Sequence, residues 1–247
     1  MMKILRRRLD HAIALAACLS MTTPALAQMN SMILAGPQNN AMGQVMALRA
    51  KQMQQQFDRN ASSQAKSESS SRQSLASQNL AIEFNPAVTK QVHDLYIDGL
   101  KQSGGATQAS LVDQRLGNIR ASFARMVSPY GLRADDLSDV MAAHMIVMWM
   151  AANQQSGLPT PAQAQAVRRQ MQNVFASRTG AISMPAERQS TAEYVMYETC
   201  MTLLVRGELG SRPDLDKRVS DAVNIKMTGQ GYSLRDLRLT DEGLVKN

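Results

Sequence analysis

The segment LSDVMAAHMIVMWMAANQ, from Leu137 to Gln154, indicates the architecture of this chain more clearly than any other segment. Apolar residues fill nearly every position from Val140 to Ala152, so the predicted helix has no polar face. A helix that is apolar all round is either the centre of a domain or a membrane span. This run is only 13 residues long and contains His144, whereas a span needs about 20 apolar residues. We therefore predict a central, buried helix.

Five further helices are predicted around the central one, from apolar positions at helical spacing and from capping residues. Asn85-Pro86 and Thr160-Pro161 each place a capping side chain before a proline at the first helical position. Ser110 with Asp113 resembles a capping box. The six predicted helices begin near Asn85, Ser110, Leu137, Pro161, Pro185 and Pro213. The prediction is an all-α domain over residues 80–247, a single compact bundle of about six helices.

Short extended segments are predicted at both ends of this domain. Leu80, Ile82 and Phe84 alternate with polar residues, and after the last predicted helix Leu234, Leu237 and Leu239 are predicted to form extended or turn structure. Such alternation is typical of strands. We expect the two segments to pair with each other.

Residues 1–27 have the order of a bacterial export signal. Basic residues come first, an apolar stretch follows from Ala12 to Met21, and Ala25-Leu26-Ala27 offers a small-x-small cleavage site. We expect the mature chain to begin at Gln28 and to be periplasmic or secreted. The alternative is a lipoprotein anchored at Cys18. The uninterrupted apolar run before Cys18, from Ala12 to Ala17, is only six residues long, shorter than the roughly 7–15 residues of an export signal, which favours cleavage after Ala27.

Residues 28–79 are predicted to be a disordered tail. Gln, Ser and Asn supply 24 of these 52 residues, and such a segment buries too little apolar surface to offset its ordering entropy. Within it, residues 40–57 carry Met and Phe side chains near helical spacing, so a short helix is an alternative there.

The charge of the chain does not indicate a nucleic-acid partner. The formal net charge is +7, but residues 80–247 hold 18 basic and 17 acidic residues. Nucleic-acid binding would need a basic surface, and the expected export argues against it as well. We predict an unknown protein or envelope component as the partner, with no transmembrane helix in the mature chain.

Cys200 is the single cysteine of the expected mature chain. It lies in an apolar, helical stretch, and free cysteine is often buried. We predict a buried side chain; an intermolecular disulfide and a reactive thiol are the alternatives.

No constellation for acid–base or nucleophilic catalysis stands out. His93 and Asp94 are neighbours on a predicted helix, so their side chains point about 100° apart and His93 is predicted to be a surface or boundary residue. Asp135, Asp136 and Asp139 are acids that the start of a helix favours, which makes calcium binding the weaker interpretation. We predict no catalytic, cofactor-binding or metal-binding residues.

A soft-metal site is the sharpest alternative. Met141, His144, Met145 and Met148 share one face of the central helix, and thioethers with imidazole suit Cu(I). Methionine is also an adaptable core residue, so packing is the favoured interpretation. The tail adds four more methionines, Met29, Met32, Met42 and Met46.

Residues 80–247 resemble an uncharacterised family of exported bacterial proteins, a domain of unknown function. The resemblance rests on Ser128–Leu132 (SPYGL), Pro161–Arg168 (PAQAQAVR), Trp149, and Leu237–Thr240 (LRLT) with Gly243. In that family aromatic side chains often stand at the positions of His144 and Met145, which implies a packing role there. The resemblance implies no activity and no site residues.

These observations favour a non-enzymatic envelope protein whose helical domain binds a protein or an envelope component. A small enzyme acting on envelope polymers is the alternative, and it would need acids such as Glu193, Glu198 and Asp139 in one cleft. A deep pocket with carboxylates of raised pKa would favour the enzyme. A shallow, exposed apolar patch would favour the binding protein.

Overall fold

The protein is described by a computed structural model over residues 80–102, 106–176, 184–209 and 213–247. The predicted signal, the predicted disordered tail and the alternative helix over 40–57 lie outside the described residues. Short 3-10 turns span Ser128–Tyr130 and Leu234–Asp236. The helices are α1 (Pro86–Gln102), α2 (Ala106–Leu116), α3 (Ile119–Val127), α4 (Leu137–Ala152), α5 (Pro161–Ala176), α6 (Pro185–Leu209) and α7 (Pro213–Gly229); the strands are β1 (Leu237–Thr240) and β2 (Gly243–Lys246).

Helix α4 is the centre of the domain, as the sequence predicts. Every residue of α4 except Trp149 is buried, and α5, α6 and α7 all pack against it. Asp136 begins the helix, because its side chain accepts hydrogen bonds from the backbone N–H groups of Ser138 and Asp139 at 2.9 and 3.3 Å. The all-α prediction is therefore confirmed.

Two other predicted helix starts are confirmed in atomic detail. The Asn85 side chain accepts a 2.9 Å hydrogen bond from the Ala87 N–H at the start of α1. At α5, the Gln163 N–H donates to the Thr160 hydroxyl at 3.1 Å, and the Gln163 side chain accepts from the Thr160 N–H at 3.0 Å. These reciprocal bonds make a capping box at the predicted start of α5.

The second predicted helix is in fact two helices, so the described residues contain seven helices rather than six. The helix is interrupted by a turn at Gly117 and Asn118. The Asn118 side chain then caps α3 by accepting a hydrogen bond from the Ala121 N–H at 3.1 Å. The capping box predicted at Ser110 is wrong, because α2 already begins at Ala106 and the Ser110 hydroxyl donates to the Ala106 carbonyl oxygen at 3.2 Å.

The predicted pairing of the two domain ends is also wrong. Strand β1 pairs antiparallel with β2, with Leu237 opposite Lys246 and Thr240 opposite Gly243. The N-terminal extended segment pairs instead with the start of α4, through hydrogen bonds from Ile82 N to the Asp135 oxygen at 2.8 Å and from Leu137 N to the Leu80 oxygen at 2.9 Å. A two-residue loop brings β1 and β2 together at little entropic cost. This local pairing therefore forms in preference to a pairing of β1 with the N-terminal extended segment.

The helices of the described segments are not of the membrane-crossing kind: none combines the length and the apolar character that a bilayer span requires.

Candidate functional site

Helices α1 and α6 lie side by side and run in the same direction. The Asn85 N–H donates to the Gln189 side chain at 2.9 Å, and four residues further along both helices the Thr89 hydroxyl donates to Glu193 Oε1 at 2.8 Å. We call the line of polar and aromatic side chains between them, with Arg120 of α3, the α1–α6 seam. Its members are Thr89, His93, Arg120, Gln189, Glu193 and Tyr197.

Glu193 is the buried acid of the seam. The residue is 0% exposed. Its Oε1 atom accepts from the Thr89 hydroxyl and, at 2.9 Å, from the Gln189 amide, and it lies 3.7 Å from Nη1 of Arg120. The other oxygen, Oε2, has no hydrogen-bond partner among the described residues. Half of a buried carboxylate is therefore unsatisfied, which is unusual in a folded protein.

Two further buried polar atoms of the seam have no hydrogen-bond partner among the described residues. They are Nη1 of Arg120 and the hydroxyl of Tyr197. The ring of Phe84 covers the Arg120 guanidinium, with 5.0 Å from Cζ to the ring centroid, while Phe84 itself is 60% exposed. Burial, reinforced by the Glu193 carboxylate, raises the pKa of Tyr197 well above its ordinary value, so the phenol stays neutral.

His93 lies at the rim of the seam and is half-buried, which agrees with the predicted boundary position. Its Nε2 atom is 2.9 Å from a carboxylate oxygen of Asp113 on α2, and its Nδ1 atom is 3.4 Å from Asp94. Sequence spacing did not reveal Asp113 as the closer partner. Both ring nitrogens therefore face carboxylates, one on α2 and one on α1. In this arrangement His93 links helices and does not offer a free basic nitrogen.

Aromatic rings continue the interface from the seam along α1 and α6. Tyr96 stacks on Tyr197 with 4.7 Å between ring centroids and meets the edge of Tyr194 at 5.7 Å. His93 lies 6.3 Å from Tyr197 on the other side. These contacts fix the position of the Tyr197 ring, which lies one helical turn along α6 from Glu193.

The three acids considered for an enzyme have three different sets of partners. Glu193 belongs to the seam, whereas Glu198 of the same helix forms an ion pair with Lys226 of α7. Asp139 of α4 forms ion pairs with Arg168 and Arg133. Each acid therefore holds a different pair of elements together, and the structure gives no contact between them.

The methionine face of α4 is part of the core. Met141, Met145 and Met148 are all buried, and the Thr202 hydroxyl contacts the Met148 sulfur at 3.9 Å. The packing interpretation of these side chains agrees with that burial. Among the described residues no three or more His, Cys, Asp or Glu side chains are placed to hold a metal ion. The four tail methionines lie outside the described residues.

His144 is buried between α4 and α6 and is neutral. Its Nδ1 atom lies 3.0 Å from the Thr199 hydroxyl oxygen, and that hydroxyl donates to the Val195 carbonyl at 2.7 Å. Because the hydroxyl proton is already used, Nδ1 is the donor to Thr199. Burial lowers the pKa of His144 to about 4.

Cys200 is buried, as predicted. Burial raises the pKa of its thiol to about 12. The thiolate is the reactive form of cysteine, so a buried, neutral thiol behaves as a small apolar side chain.

The residues that carried the resemblance contact one another in the fold. The Gln165 side chain donates to the carbonyl oxygens of Tyr130 and Gly131 at 3.0 and 3.1 Å, which ties α5 to the SPYGL turn. The Trp149 indole donates to the Leu237 carbonyl at 2.8 Å, which ties α4 to β1. These residues hold elements in place, and none of them belongs to the seam.

The chain was compared with known proteins and families. No curated protein and no solved structure matches it. A family of unknown function, DUF6683, matches residues 7–246, so the match starts well before residue 80 and spans nearly the whole chain. On this match, the chain belongs to the DUF6683 family.

Proposed function

We propose that this protein is a non-enzymatic, exported envelope protein whose helical domain binds a protein or an envelope component. One observation carries the binding role: large apolar side chains are exposed at the end of the domain where α1 and α6 begin. Phe84, just before α1, is 60% exposed, and Met184, just before α6, is 63% exposed. Exposed apolar side chains grouped at one end of a domain are typical of binding surfaces.

The arrangement of the interior acids supports this role over the enzymatic alternative. Asp139 and Glu198 are each engaged by a cation from another element. An acid that works as a general acid or base has to reach a substrate. Ion pairs that join helices serve the fold instead.

The binding role is tested by photocrosslinking in the bacterium that produces the protein. A photoreactive amino acid replaces Phe84 or Met184 in the full-length chain, and adducts are identified by mass spectrometry. We expect one recurrent adduct from both positions. Matched controls are Leu158 and Ile225, which are also exposed, at 75% and 60%, on the α4–α5 loop and on α7.

Equal labelling at the control positions contradicts a binding surface at the α1/α6 end. Degradation of cell-wall material by the purified protein would also contradict the proposal, since such turnover supports the enzyme.

The copper alternative has its own test, a copper titration followed by mass spectrometry. Absence of binding at micromolar copper removes the metal interpretation of the α4 methionine face.

The proposed export has its own measurement. The N-terminal sequence of the protein recovered from the cell envelope is expected to start at Gln28, and Cys18→Ser is expected to leave that start unchanged. A mature chain that begins with an acylated Cys18 would support the lipoprotein instead. Recovery of the full-length chain from the cytoplasm would contradict both forms of export.

A further inference from the structure

The exposed apolar surface where α1 and α6 begin extends beyond Phe84 and Met184. The proline and the alanine that open each helix are exposed as well. We call this surface the end patch; its members are Phe84, Pro86, Ala87, Met184, Pro185 and Ala186. Apolar residues grouped in this way are typical of docking surfaces, whereas single exposed ones need no explanation.

The two halves of the end patch are held side by side. The Asn85 N–H donates to the Gln189 side chain at 2.9 Å, and the Arg188 guanidinium donates to the Ala81 carbonyl oxygen at 2.7 Å. Leu80 is the first residue of the described domain. The chain therefore enters this domain beside the end patch.

One segment of the chain carries an apolar stripe that suits such a surface. In a helix over residues 40–57, the side chains of Met42, Met46, Met53 and Phe57 would lie within about 60° of one another. Most of the stability of an amphipathic helix comes from packing its apolar face against a surface. The stripe therefore needs an apolar surface within its reach.

The charges of this segment and of the end patch are opposite. Residues 40–57 contain Arg49 and Lys51 and no acidic residue, and the position of Arg49 falls inside the stripe. At the edge of the end patch, Glu83 is exposed and Glu187 lies in the first turn of α6. Complementary charges of this kind favour docking and help to fix its register.

The tether between the segment and the domain is long enough. Residues 58–79, 22 in all and eight of them serine, separate Phe57 from Leu80, and a serine-rich chain of that length spans about 25 Å on average. A tether of this kind gives an effective concentration in the millimolar range. The DUF6683 match covers the segment, the tether and the domain together.

We infer that residues 40–57 dock on the end patch as an amphipathic helix and that a binding partner has to displace them. The inference rests on the proposed function, because both contacts use the same surface, and it adds an autoinhibitory segment to that surface. Docking that a partner displaces is weak, so it adds little to the stability of the domain.

Photocrosslinking of the purified chain from Gln28 to Asn247, with no partner present, tests the docking. A photoreactive amino acid replaces Met184, and mass spectrometry locates the adduct. We expect the adduct within residues 40–57, and in a mixture of isotopically labelled and unlabelled chains we expect it within one chain. The same probe at Ile225 is the matched control, because Ile225 is similarly exposed but lies on α7.

Two outcomes of this experiment overturn the inference. One is an even spread of adducts over residues 28–79, or an equal yield from the probes at Met184 and Ile225. The other is an adduct that joins a labelled to an unlabelled chain, because it identifies a second copy as the occupant.

Apolar variants inside and outside the stripe test the docked face. Met46→Gln is expected to lower the adduct yield roughly threefold or more, because it removes an apolar side chain from the contact. Leu48→Gln is the control, since position 48 falls on the other side of the same helix. Equal effects of the two changes contradict a docked helix.

Charge variants test the same face independently. Arg49→Glu places an acid against Glu83 and Glu187 and is expected to lower the adduct yield from the Met184 probe. Lys51→Glu makes the same change in net charge on the opposite side of the helix and is expected to have a smaller effect. Equal losses would show that net charge alone attracts the segment, which contradicts a defined docked face.

Deletion of residues 40–57 tests the displacement in the cell. The yield of partner adduct from the Met184 probe is expected to rise roughly threefold, because the partner no longer competes with the segment. An unchanged yield contradicts the displacement. A partner adduct in the cell, without the intramolecular adduct in the purified chain, removes the inference and leaves the proposed function standing. The intramolecular adduct without any partner adduct removes the proposed function and leaves the docking.

Discussion

Asp139 is a fully buried carboxylate in the first turn of α4. The guanidinium of Arg168 on α5 meets one of its oxygens, and the backbone N–H of Arg133 donates to the other at 2.9 Å. Burial raises the pKa of Asp139, and the charge of Asp136 adds to the effect, while Arg168 opposes it. Taking a charge out of water is costly, so this acid depends on its partners.

Arg168→Met is expected to lower the free energy of unfolding by about 3 kcal/mol, because it removes the nearer of the two cations that face the buried Asp139 carboxylate. Urea denaturation at pH 7 measures the change. The double variant Asp139→Asn/Arg168→Met is expected to recover part of the loss, since no buried charge remains.

The exposed ion pair Lys217–Asp221 on α7 is the control for that prediction. Lys217→Met is expected to have no measurable effect, because solvent screens an exposed pair. Equal effects of Lys217→Met and Arg168→Met would contradict the structural role of the buried pair.

His144 makes the stability of this domain depend on pH. In the folded state it stays neutral down to a pKa of about 4, whereas in the unfolded chain it takes up a proton below about pH 6.5. The unfolded state thus binds more protons between pH 6.5 and 4, and stability falls as the pH falls through that window. The ion pair of Glu198 and Lys226 lies near the ring, and its two charges act on the His144 pKa in opposite directions.

We expect the domain to lose about 3 kcal/mol of stability from this one group between pH 7 and pH 4. His144→Phe is expected to flatten the acid side of the stability curve, measured by urea denaturation at several pH values. Met141→Leu, a volume-conserving change on the same helix, is the control and should keep the slope. An unchanged slope in His144→Phe would show that other groups cause the acid loss.

At the scale of the elements, the β1–β2 hairpin is fastened to α5 by one side chain. The Gln170 amide donates to the Leu244 carbonyl at 3.0 Å and accepts from the Leu244 N–H at 2.9 Å. Gly243, the residue before, has a φ of 109°, and a Cβ atom there would clash with the side-chain amide of Gln170. Gly243 therefore permits both the turn and the close approach of Gln170.

Gly243→Ala is expected to destabilise the domain by on the order of 2 kcal/mol, because alanine is strained at this φ and displaces Gln170. Thermal unfolding followed by circular dichroism measures the loss. Gly157→Ala is the matched control, since a Cβ atom there meets nothing within 4 Å. A similar loss in both variants would mean that space and φ at Gly243 are not the cause.

Elements whose starts are marked by local chemistry could be predicted from the sequence. Asn85 and Thr160 cap their helices as predicted, since a cap is satisfied by residues two or three positions away. The break at Gly117 was missed because apolar residues keep helical spacing across it. The spacing of apolar residues identifies the buried face. It does not distinguish one long helix from two consecutive helices that bury the same face.

The seam shows why a site is harder to predict than a helix. Gln189, Glu193 and Tyr197 recur every four residues, which places them on one face of α6. That signal was available, but nothing in the sequence says that Arg120 and Thr89 lie opposite them. Partners from three helices are assembled by packing, which sequence periodicity does not encode.

At the scale of the whole molecule, the contacts described among residues 80–247 form one connected core. Buried apolar side chains from every helix and from both domain ends belong to it, from Ile82 to Leu244. A chain with such a core is expected to fold without help from residues outside it.

A variant that lacks residues 1–79 is therefore expected to keep its helical circular dichroism spectrum and its cooperative unfolding. The full mature chain is the control, and both are measured by thermal scans at the same concentration. A fall of several degrees in the midpoint would show that residues 28–79 add to the stability of the core.

The parallel pairing of α1 with α6 also constrains the order in which the chain folds. The hydrogen bonds from Asn85 to Gln189 and from Thr89 to Glu193 join residues 104 positions apart. Contacts of such long sequence separation require closure of a large loop, and they form slowly. Helix α1 has no α6 to pack against until most of the chain has been synthesised, so the helix that comes first among the described residues is among the last to be fixed in place.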